Sequence, residues 1–209
     1  MQRREQFAAS RRERDSQRQR VYDAEATTPM RSDVTLPEVT DLTRYLMRVL
    51  NSRRVWSAFP FLAPGCEDEL DRLPITIKDG RGCTHARGGR TQLIMPRWAR
   101  SELVFLHEIA HLIHQREKDS PRHSIIDPTW RERKGYFAAH GWRYCMIYLQ
   151  LVLWFMGRGP HDQLKAAFKQ GRVRHRPPRS LSPEQRLALA NRLRRMRGDP
   201  IALEVRRAA

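Results

Sequence analysis

The chain has 209 residues, enough for one domain with a real core plus extensions. Forty Lys and Arg against 23 Asp and Glu leave a formal charge of +17, which points to nucleic acid or another polyanion as a neighbour and says nothing about chemistry. Cys66, Cys83 and Cys145 form no C-x-x-C pair, which excludes a zinc ribbon or thiol redox motif and fits free thiols in a reducing cytoplasm.

Residues 1–13 are Arg-rich and polar, so composition predicts a disordered segment or one that becomes helical on a partner. They lack the apolar stretch of a secretory signal, so export is not expected and a cytoplasmic location is. From Asp15 the pattern predicts a helix to Ala26, with Asp15 as cap and Val21 and Tyr22 as anchors, stopped by Thr27, Thr28 and Pro29. Leu42, Leu46, Val49 and Leu50 recur at three- and four-residue spacing and predict a second helix over Pro37–Ser52. Trp56, Phe59 and Phe61 follow among prolines, where they fit apolar anchors better than platforms for nucleobases.

The β region is expected within Leu73–Pro96. Ile75-Thr76-Ile77 and Thr91–Met95 read as strands, with turn signals at Asp79-Gly80 and Gly88-Gly89. If Thr91–Met95 is an open edge, it can pair with an extended peptide. An amphipathic helix is predicted from Ser101, a plausible N-cap, to Arg116, with Leu103, Leu106, Ala110 and Ile113 as its apolar stripe. A polar connection over Glu117–Lys134 leads to a helix expected from Tyr136 to Met156, with His140 on its first turn and Gly157 as its stop. The apolar run within it, Cys145 to Met156, is too short to span a bilayer and reads as a buried helix. The domain is therefore placed at 14–157. Residues 158–209 form a basic extension, carrying a net +10, in which Ser182-Pro183-Glu184-Gln185 resembles a capping box opening a helix to Arg197. That tail could lie along nucleic acid phosphates.

Within the Ser101–Arg116 helix lies His107-Glu108-Ile109-Ala110-His111, an H-E-x-x-H sequence. Residues four apart on a helix share nearly one face, so His107 and His111 can aim ring nitrogens at one ion. A catalytic zinc site takes three protein ligands and leaves one position for water. Glu108, directly after the first ligand, can then act as general base. Three histidines compete for the third position. His114 shares the helix face but lies about 10.5 Å beyond His107, which suits a supporting or rim residue. His123 sits in a loop with nothing to fix it. His140, beside Gly141 on the following helix, is preferred, since the glycine would let that helix approach the metal helix closely.

HEIAH followed by His140-Gly141-Trp142-Arg143-Tyr144 resembles the H-E-x-x-H … H-G-x-x-aromatic arrangement of SprT-like zinc metalloproteases. Together with Arg14-Asp15-Ser16-Gln17-Arg18-Gln19-Arg20-Val21-Tyr22-Asp23-Ala24-Glu25, it is more closely similar to a family of small metallohydrolases of actinobacteria and their phages, over residues 14–157. The resemblance implies a zincin-like α+β fold, Zn2+ held by His107, His111 and His140, and Glu108 as catalytic base. It names no substrate. SprT-like enzymes cleave proteins attached to DNA, but this chain lacks their Cys-rich zinc ribbon, so a DNA link rests on charge alone.

The function expected is zinc-dependent hydrolysis, of peptide bonds first. The alternative is a nucleic-acid-binding protein whose metal site is structural or vestigial. Tyr136 and Tyr144 are candidates for the oxyanion only through proximity to His140.

Overall fold

A computed structural model describes residues 15–28, 33–65, 74–119, 133–178 and 183–197. His123, Cys66, the polar residues 120–132, the Ser182 cap and the N-terminal 1–13 segment lie outside them. The chain divides into a first compact unit ending at Pro177 and a second over Pro178–Ala209.

The first unit is mixed α+β. Its helices are α1 (Arg18–Ala26), α2 (Val39–Leu50), α3 (Arg53–Ala58), α4 (Glu102–Asp119), α5 (Trp142–Phe155) and α6 (Arg158–Gln170), with strands β1 (Thr76–Asp79), β2 (Arg87–Gly88) and β3 (Gln92–Met95). No described helix is long and apolar enough to cross a membrane.

The apolar spacing seen in the sequence sets the packing. Leu42, Leu46 and Val49 of α2 are buried, as are Leu103, Leu106, Ala110 and Ile113 of α4. In α5 the burial goes nearly all round, from Tyr144 to Val152, because α4 and α6 both pack against it. Phe59 and Phe61 are core residues at 2% exposure, and Trp56 donates its indole N–H to the Leu50 carbonyl at 2.6 Å. These aromatics are therefore structural anchors, not exposed stacking platforms.

The sheet departs from expectation in its order, which is β1-β3-β2. β1 pairs with β3 in parallel, Ile77 opposite Leu93, and β2 pairs antiparallel, Gly88 opposite Leu93. Thr91–Met95 is thus not an open edge: its strand is central, with Leu93 and Met95 fully buried. β3 and β2 both touch α4, and the edge one is β2, two residues long, in the stretch that reads as a turn. Gly88 makes that contact possible, because a Cβ there would collide with the Glu108 carbonyl oxygen and sit 2.8 Å from the His111 Cβ.

Residues 158–177 belong with the core. Leu164 and Phe168, four apart on α6, are fully buried where α6 packs on α1 and α5, and Val173 beyond it is 4% exposed. Two large apolar positions among so many basic and polar residues are a weak signal, which is why composition changes at 158 while the fold does not. The second unit contains α7 (Pro183–Arg197), with Glu184 in its first turn and Arg192 and Arg194 exposed.

Candidate metal centre

α4 begins where Ser101 Oγ accepts the Val104 N–H at 3.3 Å and Asp33 Oδ1 accepts the Leu103 N–H at 3.0 Å. Two turns later its inner face presents His107 and His111. His140 reaches them from outside any helix. α5 starts at Trp142, not Tyr136, and Gly141 is its N-cap with extended backbone. The bends of 133–141 precede it, with Gly135 at φ +87°. Gly141 is required by this turn itself: a Cβ would strike the Gly135 carbonyl and lie 3.1 Å from that of Ala138. It does not serve an approach to α4. His114 helps hold the same turn, its Nε2 2.8 Å from the Tyr136 carbonyl oxygen, so it is a buried supporting residue and not a rim residue.

The Nε2 atoms of His107, His111 and His140 converge. Separations are 3.1 Å between His107 and His111, 3.2 Å between His111 and His140, and 3.4 Å between His107 and His140. Ligands about 2.05 Å from a tetrahedral ion stand about 3.3 Å apart. His107 and His140 are buried and His111 is half-buried.

The other ring nitrogens show why hydrogen bonding among the three rings is not a sufficient account. His107 Nδ1 lies 2.6 Å from Glu25 Oε1, and His140 Nδ1 lies 2.6 Å from Asp15 Oδ2. Each carboxylate fixes a proton on Nδ1, which leaves the Nε2 lone pair free. A single extra proton can sit between only one of the three Nε2 pairs. A cation at the centre meets all three, so the donor set fits a metal ion.

Burial depresses the His111 pKa well below its ordinary value, reinforced by the positive charge available to His107 and His140. It also lowers His140, against the opposing pull of Asp15. For His107 burial acts downward too, but the carboxylates of Glu25, Glu108 and Asp15 together outweigh it and the pKa is raised. Two of the three rings are therefore held in the neutral form that binds metal.

The outer support was not legible in the sequence: it comes from α1 and from the residues just before it. Asp15 is not a helix cap. Its carboxylate takes the His140 ring N–H and lies 3.3 Å from the His140 backbone nitrogen. Gln17, the residue before α1, donates to the His140 carbonyl at 2.5 Å and to that of Arg174 at 3.0 Å, and accepts the Arg174 N–H at 3.0 Å. This ties the segment after α6 to the centre. Acidic residues at 15 and 25 flanking a short helix in an otherwise basic terminus were the available signal.

No family model, curated protein or solved structure matches this chain.

A cavity of about 890 Å³ opens beside the centre, with His107 and Glu108 on one wall, Arg18 and Tyr22 of α1 on another, and Ala86 and Trp98 among the remainder. Glu108 is 5% exposed; burial raises its carboxyl pKa, opposed by the nearby His107 and by the Gly88 backbone N–H. Tyr144 stacks on the His111 ring at 4.3 Å, and its hydroxyl lies 3.4 Å from the His107 carbonyl oxygen. Both Tyr144 and Tyr136 are fully buried and neither lines the cavity, so they brace the site and do not face an oxyanion.

Behind the centre, Arg143 of α5 and Glu117 of α4 form a buried ion pair, with Arg143 Nε 2.8 Å and 3.1 Å from the two carboxylate oxygens. It joins the helix that carries two of the histidines to the one that follows the third.

Proposed function

We propose that the protein is a zinc-dependent hydrolase of zincin-like type, a metallopeptidase, with His107, His111 and His140 holding the ion and Glu108 as general base. The observation that carries this reading is the placement of Glu108. It is a buried carboxylate one residue after a metal-ligand candidate, and it borders the same cavity as His107. A structural metal site has no need of such a group. Zinc, when bound, would supply Lewis acidity, polarising the scissile carbonyl and acidifying water.

The chain's own residues would do the rest. Glu108 accepts the proton of the attacking water and passes it to the leaving amine. Asp15 and Glu25 hold the rings of His140 and His107 in the orientation and tautomer that bind metal. The edge strand β2 lies against α4, and an extended peptide running beside it would place its carbonyl next to Glu108. The resemblance of HEIAH and His140-Gly141 to SprT-like metalloproteases supports the same assignment.

The alternative, a nucleic-acid-binding protein with a structural or vestigial metal site, draws on the +17 charge and on the exposed arginines of α7. A purely structural site gives no reason for a cavity bordered by Glu108. The Glu108→Gln variant separates the two readings: it should retain the metal and lose peptide hydrolysis. Hydrolysis at the wild-type rate would remove Glu108 from the mechanism.

A further inference from the structure

We infer that Tyr22, backed by Arg18, is a further catalytic residue: its hydroxyl donates a hydrogen bond to the oxyanion that forms on the substrate carbonyl. The inference rests on the hydrolase reading above and adds a residue to it.

Three tyrosines touch the rings of the histidine cluster, and two have their hydroxyls engaged inside the protein. The Tyr144 hydroxyl faces the His107 carbonyl, and that of Tyr148 faces the Leu103 carbonyl. Both residues are fully buried. Tyr22 differs. It is 36% exposed and lines the cavity, while its ring stacks on His107 at 5.6 Å and meets His140 edge-on at 5.3 Å. It therefore lies over two of the three rings and borders the same open space as Glu108.

Arg18 stands four residues earlier on α1, on the same helix face. Its guanidinium carbon is 5.5 Å from the Tyr22 ring centroid, which places a positive charge beside the phenol. A positive charge beside a phenol draws electron density from its hydroxyl and strengthens that group as a hydrogen-bond donor. The charge of the cavity gives this pair a purpose. Asp15, Glu25, Asp33 and Glu108 all line it, and Arg18 is the one Lys or Arg among the described residues that does. Negative charge developing there needs a donor already in place.

The step balances without Tyr22 changing its protonation. A water oxygen bonds to the carbonyl carbon, the carbonyl π pair moves onto its oxygen, and Glu108 takes the water proton. On collapse the pair returns, the C–N bond breaks, and the amine leaves with the proton from Glu108. Tyr22 donates a hydrogen bond throughout and keeps its proton.

The probe is methylphosphonate, a tetrahedral anion, titrated into the cobalt-substituted protein and followed through the cobalt d–d absorbance. Tyr22→Phe keeps the ring packing and removes only the hydroxyl. It should weaken methylphosphonate binding by about tenfold or more, the loss expected for a hydrogen bond to a charged group, with cobalt stoichiometry unchanged. Arg18→Gln should weaken it less, and Arg18→Lys should restore part of the loss. For peptide hydrolysis, Tyr22→Phe should lower kcat with little change in KM. Equal methylphosphonate affinity in wild type and Tyr22→Phe would overturn the assignment of Tyr22 and leave the hydrolase reading standing. A wild-type cobalt protein that neither responds to methylphosphonate nor cleaves peptides would overturn both.

Discussion

Removing the carboxylates behind the histidines should weaken metal binding by amounts that follow their burial. Glu25 accepts from the His107 Nδ1 at 2.6 Å, and its side chain is 14% exposed. Glu25→Ala leaves the buried His107 ring N–H without that partner and little room for water to replace it. Asp15 makes an equally short bond to His140, but its side chain is 23% exposed, so water can take over part of its role. Outer-shell partners of this kind are worth about 10–100-fold in metal affinity. Glu25→Ala should fall near the top of that range and Asp15→Ala near the bottom, about 2.7 and 1.4 kcal/mol respectively. Each carboxylate serves its own ring, so the double variant should lose close to the product, about 1,000-fold. Glu25→Gln keeps an acceptor for the ring N–H and removes the charge, so its loss should be intermediate. The assay is competition with a chromophoric chelator for zinc at about pH 8, where protons compete least for His107. Affinities of both alanine variants within twofold of wild type would refute the reasoning, and a larger loss for Asp15→Ala than for Glu25→Ala would refute its basis in burial.

Zinc uptake should release a proton from His107, whose pKa Glu25 raises; because that proton occupies the metal site below the raised pKa, zinc affinity should fall as pH is lowered. Calorimetry in buffers of different ionisation enthalpy reads the proton count directly, and a count of zero through the titration range of His107 would contradict it. Glu117→Ala should destabilise the protein by about 3–5 kcal/mol in urea unfolding, because the buried Arg143 guanidinium loses its charged partner; a cost under about 1 kcal/mol would contradict it. Gly88→Ala should push β2 away from α4, costing about 1–3 kcal/mol of stability and weakening zinc binding together. Unchanged zinc affinity in that variant would show that β2 does not help shape the centre.

The sequence made the helices legible where one apolar face repeats. Leu42, Leu46 and Val49 on α2, and the stripe of α4, are the buried positions that periodicity marks. His107, His111 and His140 were legible for a different reason: helical spacing fixes the first two, and the third had few competitors. Long-range order was not legible. Nothing in Thr91–Met95 tells a central strand from an edge, since strand order depends on which partners arrive from elsewhere in the chain. β2 was missed because a two-residue strand made of Arg87 and Gly88 carries no β signal, and Gly88 is there for its lack of a side chain. Asp15 matched the signature of a helix cap, and only the arrival of His140, 125 residues away, gives its carboxylate another use. Leu164 and Phe168 were hidden in a segment whose charge suggested a solvated tail.

The central claim is that three imidazoles form one metal site. Its most direct test is zinc stoichiometry after equilibrium dialysis against buffered micromolar zinc, measured by elemental analysis for the wild type and for His111→Ala and His140→Ala. One ion per chain in the wild type, and a large loss in each variant with the fold retained by circular dichroism, is the predicted result. No zinc in the wild type, or undiminished binding without His140, would contradict it.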